Sequence, residues 1–162
     1  MILNNATIGT AGLHFDTVNI ATQSIGISIA GTTGGGDIVF GDVDINGTNT
    51  GTQAIRIAGT ASNNITIADF DTNLLQGQTA LQIDGSYSGT MTFGDFDVAS
   101  SSTTGTTGID LSNATGGGTV QVGDTAAAGA SASISGVDTG VLLGNGTNLG
   151  FVYGDGEGAI DQ

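Results

Sequence analysis

The feature that most constrains this chain is a pair of short apolar patterns that alternate along its whole length. The first is a small residue followed by apolar-x-apolar, as in GLHF at 12, GISI at 26, AIRI at 54, ALQI at 80, GIDL at 108 and GVLL at 140. The second is apolar-x-apolar followed by a small residue and usually Asp, as in VNIAT at 18, IVFGD at 38, ITIAD at 65, MTFGD at 91, VQVGD at 120 and FVYGD at 151. Between positions 26 and 120 each pattern returns every 26 to 29 residues. Such a repeat predicts a fold of stacked, equivalent units.

Within both patterns, apolar and polar residues alternate with a period of two, which is typical of strands with one buried face. No stretch keeps a period of 3.6 long enough for a helix. Strands that recur at this spacing, joined by Gly, Asn, Ser and Thr, predict an all-β fold, a right-handed parallel β-helix (β-solenoid) of about six rungs with roughly 27 residues per rung. Right-handed winding is expected because crossovers between parallel strands are overwhelmingly right-handed. We expect residues 1–162 to form a single β-solenoid domain, as a segment of a larger protein.

Equivalent residues of successive rungs stack about 4.8 Å apart in a solenoid, so each column should be chemically uniform. The predicted columns of the first pattern are Leu13, Ile27, Ile55, Leu81, Ile109 and Val141, and beside them Phe15, Ile29, Ile57, Ile83, Leu111 and Leu143. Those of the second pattern are Val18, Ile38, Ile65, Met91, Val120 and Phe151, and beside them Ile20, Phe40, Ile67, Phe93, Val122 and Tyr153. A third short strand is predicted after the second pattern, with Val43, Phe70 and Phe96 pointing inward.

The Gly-Asp step that ends the second pattern predicts a sharp bend. Glycine tolerates backbone angles that other residues resist, and this applies to Gly41, Gly94, Gly123 and Gly154. The following Asp can hydrogen-bond nearby backbone amides. Ala68 replaces the glycine in one rung, so the bend there is not expected to need a positive φ.

Charge excludes several classes of partner. The formal net charge is -14, from 15 Asp and Glu residues against the single cation Arg56. Nucleic acid and anionic membrane surfaces are bound through Lys and Arg, so neither is expected as a partner. The start MILNNATIGT lacks the regions of a signal peptide, and no apolar run approaches the roughly 20 residues that span a bilayer, so we expect no membrane insertion. The absence of Cys excludes disulfides and thiolate metal sites.

The Asp residues are the only candidates for chemistry. They are predicted to form two columns, Asp42, Asp69, Asp95, Asp124 and Asp155 in the first and Asp44, Asp71 and Asp97 in the second. One interpretation is a row of Ca²⁺ ions, because calcium prefers several carboxylate and carbonyl oxygens. The other is a solvated, hydrogen-bonded turn column whose repulsion is screened by salt. The second interpretation is favoured because the calcium nonapeptide GGxGxDxUx does not recur, so no cofactor is expected to be required.

Enzymatic activity is not expected, although pectate lyases and polygalacturonases share this predicted architecture. Lyases of acidic sugars need a cationic base and cationic clamps, whereas this chain has only Arg56 and His14. Hydrolases need only two carboxylates about 5 to 9.5 Å apart, which any Asp column supplies. We therefore name no catalytic residue. His14 and Arg56 are predicted to share one outward slot, with His14 solvated and Arg56 held by turn oxygens or an Asp.

Ice binding is a further alternative, because regular threonine arrays on flat solenoid faces suit it. The residues predicted to lie together on one outward face are Thr66, Thr90, Thr92 and Thr119. The array is small and interrupted by Asn64 and Gln121, so a chance arrangement is favoured.

The rungs GTTGIDLSNATGGGTVQVGD and TALQIDGSYSGTMTFGDFDV resemble those of autotransporter passengers, haemagglutinin-like adhesins and beta-strand repeat proteins of bacterial surfaces. The resemblance implies a right-handed β-helix that is secreted or displayed on the cell surface, where it acts in adhesion or as a stalk. The expected function is therefore that of an extracellular structural or adhesive segment whose partner is a surface glycan, a surface protein or the chain itself. Self-association, end to end or lateral, is expected because uncapped solenoid ends leave unpaired strand edges. A polysaccharide-active enzyme and a calcium- or ice-binding solenoid remain the alternatives.

Overall fold

The computed structural model describes residues 1–21, 24–46, 53–123, 131–144 and 148–154, and the backbone of residues 159–160. These residues form an all-β parallel solenoid of about 5 turns with ~27 residues per turn, and none of them is helical. The strands are β1 (Ile2–Asn4), β2 (Thr7–Ile8), β3 (Leu13–Ile20), β4 (Ile25–Ala30), β5 (Thr33–Gly34), β6 (Ile38–Asn46), β7 (Gln53–Ala61), β8 (Ile65–Leu74), β9 (Thr79–Tyr87), β10 (Thr90–Ser100), β11 (Thr107–Leu111), β12 (Thr119–Val122), β13 (Ala132–Ile134), β14 (Thr139–Leu143), β15 (Gly150–Tyr153) and β16 (Ala159–Ile160).

The strands form three parallel sheets. The first sheet has six strands in the order β1-β4-β7-β9-β11-β14. The second sheet has eight strands, in the order β15-β12-β10-β8-β6-β3 with β13 beside β10 and β16 beside β13, and β2 and β5 form a small third sheet. Neighbouring strands come from successive turns and run parallel, so the predicted parallel β-solenoid is confirmed. Right-handed winding stays a prediction.

From the second turn onward, the predicted core columns stack in the expected register. In the first sheet Ile27 pairs with Ile55, Ile55 with Leu81, and the column continues to Val141. In the second sheet the columns that contain Ile38 and Phe40 continue to Phe151 and Tyr153. The interior members of these columns are almost fully buried, and they form one continuous hydrophobic core.

The prediction for the first turn is wrong. Leu13 and Phe15 do not stack with Ile27 and Ile29 of the first sheet but pair with Ile38 and Phe40 of the second. The place beside Ile29 belongs to Leu3.

The residues that follow are displaced in the same way. Val18 and Ile20, which were predicted to lie beside Ile38 and Phe40, pair with Val43 and Ile45. The physical reason is that GLHFDTVNI forms one strand across a corner, with the spacing apolar-x-apolar-x-x-apolar-x-apolar that IVFGDVDI has in β6.

The Gly-Asp step is a corner through which the strand continues. Phe40 and Val43 are both buried and are separated by two outward residues, so the period-two alternation slips by one position there. Neither Gly41 nor Gly94 has a positive φ, which agrees with the alanine at position 68. Among the four glycines of this step, a positive φ is found only at the two that follow the end of a strand, with φ of 76° at Gly123 and 32° at Gly154.

Aromatic rings fill the inside of this corner. Phe93 and Phe96 lie edge to face with ring centroids 4.8 Å apart, and Phe70 of the preceding turn lies 5.2 Å from Phe96. At the N-terminal end, Phe15 instead stacks nearly parallel on Phe40, with ring centroids 5.1 Å apart and an interplanar angle of 14°. Val43, Phe70 and Phe96 are fully buried, which confirms the predicted inward direction of the third short strand.

The fifth corner is interrupted. β12 ends at Val122, whereas the next residue that pairs across the corner, Ala132, lies beside Phe96. In the four preceding turns only two residues separate the corresponding positions, as between Phe93 and Phe96. The ladder therefore resumes in register after a longer connection.

The small residue that opens the first pattern has a packing reason. Gly26, Ala54, Ala80, Gly108 and Gly140 form one buried column. A Cβ on Gly26 would lie 2.8 Å from both Cδ1 and Cγ2 of Ile45, and a Cβ on Gly108 would lie 2.6 Å from Cγ2 of Ile134.

The opposing column varies in the complementary sense. The register places Thr72 and Val98 between Ile45 and Ile134, in the turns where the small residue is Ala54 or Ala80. Glycine thus faces isoleucine, and alanine faces threonine or valine.

We predict that Gly26→Ala lowers the free energy of unfolding by about 1–3 kcal/mol, because the added methyl group overpacks against Ile45. Adding Ile45→Val should recover part of the loss, because it removes Cδ1, one of the two contacted atoms of Ile45, while the contact with the backbone oxygen of Ala54 at 2.6 Å remains. Urea unfolding of the two single variants and the double variant measures this coupling. Gly9→Ala is the control, since no heavy atom lies within 4 Å of its added Cβ. Equal losses for Gly26→Ala and Gly9→Ala would contradict the packing argument.

Candidate functional site

The two predicted Asp columns are present in the middle of the second sheet. Asp42 pairs with Asp69 and Asp69 with Asp95, while the second column joins Asp44, Asp71 and Asp97 in the same way. Along each strand, one buried residue separates the Asp of the first column from the Asp of the second. All six carboxylates therefore lie on one outer surface. We call these six residues the acidic face.

Neutral residues flank the acidic face along the solenoid axis. On the N-terminal side, Thr17 pairs with Asp42 and Asn19 with Asp44. On the C-terminal side, Ser133 pairs with Asp97, and the Ser131 hydroxyl donates a hydrogen bond of 2.8 Å to Oδ1 of Asp95. Asp124 and Asp155, which were predicted to extend the first column, lie outside the described residues. The position next to Asp95 is filled by Ser131.

Burial and mutual repulsion disfavour ionisation in the centre of this face. Partial burial is the largest cause that raises the pKa of Asp69 above its usual value, and Asp71 is the next. The pKa of Asp71 is raised by burial and then by Asp97, and that of Asp97 by burial and then by Asp95. The acidic face therefore carries an electrostatic cost at neutral pH.

These shifts fix the direction of the pH dependence. A carboxyl group whose folded pKa lies above its unfolded value binds more protons in the folded state, so its contribution to stability grows as the pH falls. The pH window runs from the raised folded values down to the ordinary value of 3.8. The acidic face should therefore stabilise the fold on mild acidification, opposite to a salt-bridged Asp.

We predict that Asp69→Asn combined with Asp71→Asn raises the melting temperature at pH 7.5 by a few degrees, of the order expected for about 1 kcal/mol in a chain of this size. The gain should shrink towards pH 4, where the native carboxyl groups take up protons. Thermal unfolding followed by circular dichroism over this range measures both effects. Asp16→Asn is the control, because its side chain is 96% exposed and lies outside the acidic face. A variant that is less stable than the native chain at pH 7.5 would refute the repulsion argument.

An open groove of about 400 Å³ runs beside the second acidic column. Its polar lining includes Asn46, Asp71, Asn73, Asp97, Ser133 and Ser135. The Thr72 hydroxyl in its floor is buried and donates a hydrogen bond of 2.6 Å to the carbonyl oxygen of Ile45. The groove thus offers carboxylate, amide and hydroxyl groups on one accessible surface.

The predicted calcium row lacks a converging ligand set in the described part of the chain. No group of three or more His, Cys, Asp or Glu side chains there is placed to hold one metal ion. The carboxylates form columns parallel to the solenoid axis instead of surrounding one point. Dissolved salt can screen the repulsion within such columns without a specific binding site.

We predict that millimolar Ca²⁺ raises the melting temperature no more than NaCl of matched ionic strength, because screening needs no specific site. Mg²⁺ at the same concentration is the second comparison, since a specific calcium site would discriminate against its tighter octahedral shell. A Ca²⁺-specific increase that disappears in Asp95→Asn combined with Asp97→Asn would instead establish calcium binding by the acidic face.

The polar residues on the outer surface of the first sheet bond to one another. Nη2 of Arg56 donates to Oδ2 of Asp84 at 2.5 Å and Nε donates to the same atom at 3.2 Å, as predicted for an Arg held by a nearby Asp. Nε2 of Gln82 donates to Asp110 at 3.1 Å, and the Ser112 hydroxyl donates to the other oxygen of Asp110 at 2.6 Å. This surface therefore carries two separate groups of hydrogen-bonded side chains, each of which links neighbouring turns.

His14 does not share the slot of Arg56, which corrects the prediction. It lies in the second sheet beside Val39, in the column that continues through Thr66 and Thr92. Its side chain is exposed, as predicted, and Nε2 lies 3.4 Å from Oδ1 of Asp16.

The predicted threonine array is present as two adjacent pairs. Thr66 pairs with Thr92, and Thr90 pairs with Thr119. The interruptions are present as well, because Oδ1 of Asn64 accepts a hydrogen bond from the Thr90 amide and Gln121 follows Thr92 in its column.

Exposed apolar side chains gather at the two ends of the solenoid. The exposed large hydrophobic residues of the described chain are Ile2 (74% exposed), Leu142 (42%), Leu143 (57%) and Val152 (45%). All four lie in the terminal strands β1, β14 and β15. The core columns also become half-buried there, as at Leu13, Phe15 and Tyr153.

Sequence reasoning placed Leu143 in a core column, although it is 57% exposed, and did not single out Ile2, Leu142 or Val152, for which one signal was present. Ile2 and Leu142 end an outward column of the first sheet whose interior members are the polar residues Ser28, Arg56, Gln82 and Asp110. An apolar residue in an otherwise polar outward column indicates that its surroundings differ from those of the other members of the column.

The fold and surface define the chain as a parallel β-solenoid protein. In the described ranges no helix is long and apolar enough to cross a membrane. Comparison with protein-family models, with curated proteins and with solved structures finds no match to this chain.

Proposed function

We propose that this chain is a non-catalytic structural or adhesive segment of a secreted or cell-surface bacterial protein, and that it self-associates end to end. The observation that carries the proposal is the hydrophobic core, which continues into the terminal strands and is incompletely covered there. The resemblance of the rungs to bacterial adhesins and autotransporter passengers supports the location and the role.

A structural role suits the way in which the interactions are distributed. The paired strands come from successive turns, so the fold grows along one axis as turns are added. A protein built in this way becomes long and rigid through repetition of one simple sequence pattern. The hydrogen bonds from Arg56 to Asp84 and from Gln82 to Asp110 also link neighbouring turns on the outer surface of the first sheet.

The groove supports an adhesive role. The side chains of Asn46, Asn73 and Asp71 line the groove and are exposed to solvent. Surface glycans are recognised through such exposed amide and carboxylate groups, so a neutral surface glycan is the proposed partner for this face. Nucleic acid is not proposed, because the face is acidic.

We predict that the chain associates at high concentration and that Leu143→Asp weakens this association. Leu143 ends a core column, so a charge there would be desolvated on contact with another molecule. Thr66→Asp is the matched control, because it adds the same charge at an exposed site in the middle of the second sheet. Sedimentation velocity over a wide concentration range should show native-like association for the control only. A native chain that stays monomeric throughout would contradict end-to-end association.

A further inference from the structure

We propose that two copies associate head to tail in one defined register, so that the C-terminal strands β14 and β15 of one copy pair in parallel with the N-terminal strands β1 and β3 of the next. This inference rests on the proposed end-to-end association and adds its polarity and its residue pairs. The partner is thus a second copy of this chain, placed as an additional turn of the same solenoid.

The end strands match because the core columns are uniform along the axis. The continued register brings Leu143 of one copy onto Leu3 of the next, in the column that contains Ile29. It also brings Tyr153 onto Phe15, in the column that contains Phe40. Each joint pairs an incompletely covered apolar side chain with another, so the contact buries both.

The outward apolar residues at the two ends match in the same register. Ile2 and Leu142 occupy the two ends of one outward column, where each is exposed. On the second sheet, Val152 ends the column that begins with His14. The joint would place Leu142 beside Ile2 and Val152 beside His14.

The charge distribution also permits this contact. On the N-terminal side the acidic columns stop at Thr17 and Asn19, so no Asp of the acidic face lies in β3. The exposed Asp16 falls in the column of the corner glycines, so the joint places it above Gly154 and not above another carboxylate. The contact of β15 with β3 therefore brings no two carboxylates into one column, although the chain as a whole is strongly acidic.

Head-to-head contact would lack this match. Two identical ends related by a two-fold axis meet with their strands antiparallel, whereas every ladder of this protein is parallel. Head-to-tail contact uses two different surfaces and repeats without closing, so it produces linear assemblies of increasing length.

Pairs of introduced cysteines test the register, because the native chain contains no cysteine. His14→Cys and Val152→Cys are placed in one chain, where the joint brings their Cα atoms about 4.8 Å apart, within the range that a disulfide spans. A second chain carries Ile2→Cys and Leu142→Cys and tests the first sheet in the same way. The control chain carries His14→Cys and Leu142→Cys, two exposed sites that the register places in different sheets.

Each chain is equilibrated in a glutathione redox buffer, so that disulfides from random collision are reversed. The reaction is then quenched and analysed by non-reducing electrophoresis. The two matched chains should give a ladder of covalent multimers, and the control should give at least tenfold less. Circular dichroism confirms that all three chains are folded.

Three other outcomes would overturn the inference in distinguishable ways. Equal ladders in the matched and control chains would mean contact without register. A fourth chain, which carries His14→Cys alone, tests polarity: its cross-linking into dimers would mean head-to-head contact, which leaves end-to-end association intact but reverses its polarity. No cross-link, together with monomeric sedimentation of the native chain, would remove the proposed end-to-end association as well.

Discussion

The fixed distance between hydrogen-bonded parallel strands governs the rest of this structure. Strands of successive turns lie about 4.8 Å apart, and the register places each residue beside its equivalent in the next turn. Apolar residues that are stacked in this way give a continuous core, as in the column that contains Phe40 and Phe93. The same spacing applied to Asp69 and its neighbours gives repulsion, so one geometric constraint both stabilises the inside and burdens the outside.

The fold was largely readable from the sequence because a repeat of nearly constant length places residues without any knowledge of distant contacts. The columns from Ile27 onward and the two acidic columns follow from spacing alone. The first turn was misassigned because GLHF on its own matches the first pattern. Only the two-residue spacing between Phe15 and Val18 in the sequence shows that this segment crosses a corner. Pairing of Leu3 with Ile29 was hidden for a similar reason, since MILN has no small residue before its apolar positions.

The site was less predictable, because its properties depend on which residues lie next to one another across turns. The sequence predicts that Asp124 follows Asp95 in the same column, whereas the structure places Ser131 beside Asp95 after the longer connection. The contrast between the two outer surfaces was equally hidden. Arg56 and Gln82 donate hydrogen bonds to carboxylates one turn away. The carboxylates of the second sheet instead lie beside other carboxylates and repel them.

The interrupted corner between β12 and β13 shows where a solenoid of this kind can accept new sequence. In the second sheet, pairing with β10 reaches Val122, stops at Gly123 and resumes at Ala132 without a shift in register. Closing a longer surface loop costs little, about 0.6 kcal/mol for each doubling of its length. Corners are therefore the natural grafting positions of this scaffold. Foreign peptides inserted there would be displayed at intervals set by the pitch of the solenoid, while the core columns keep their order.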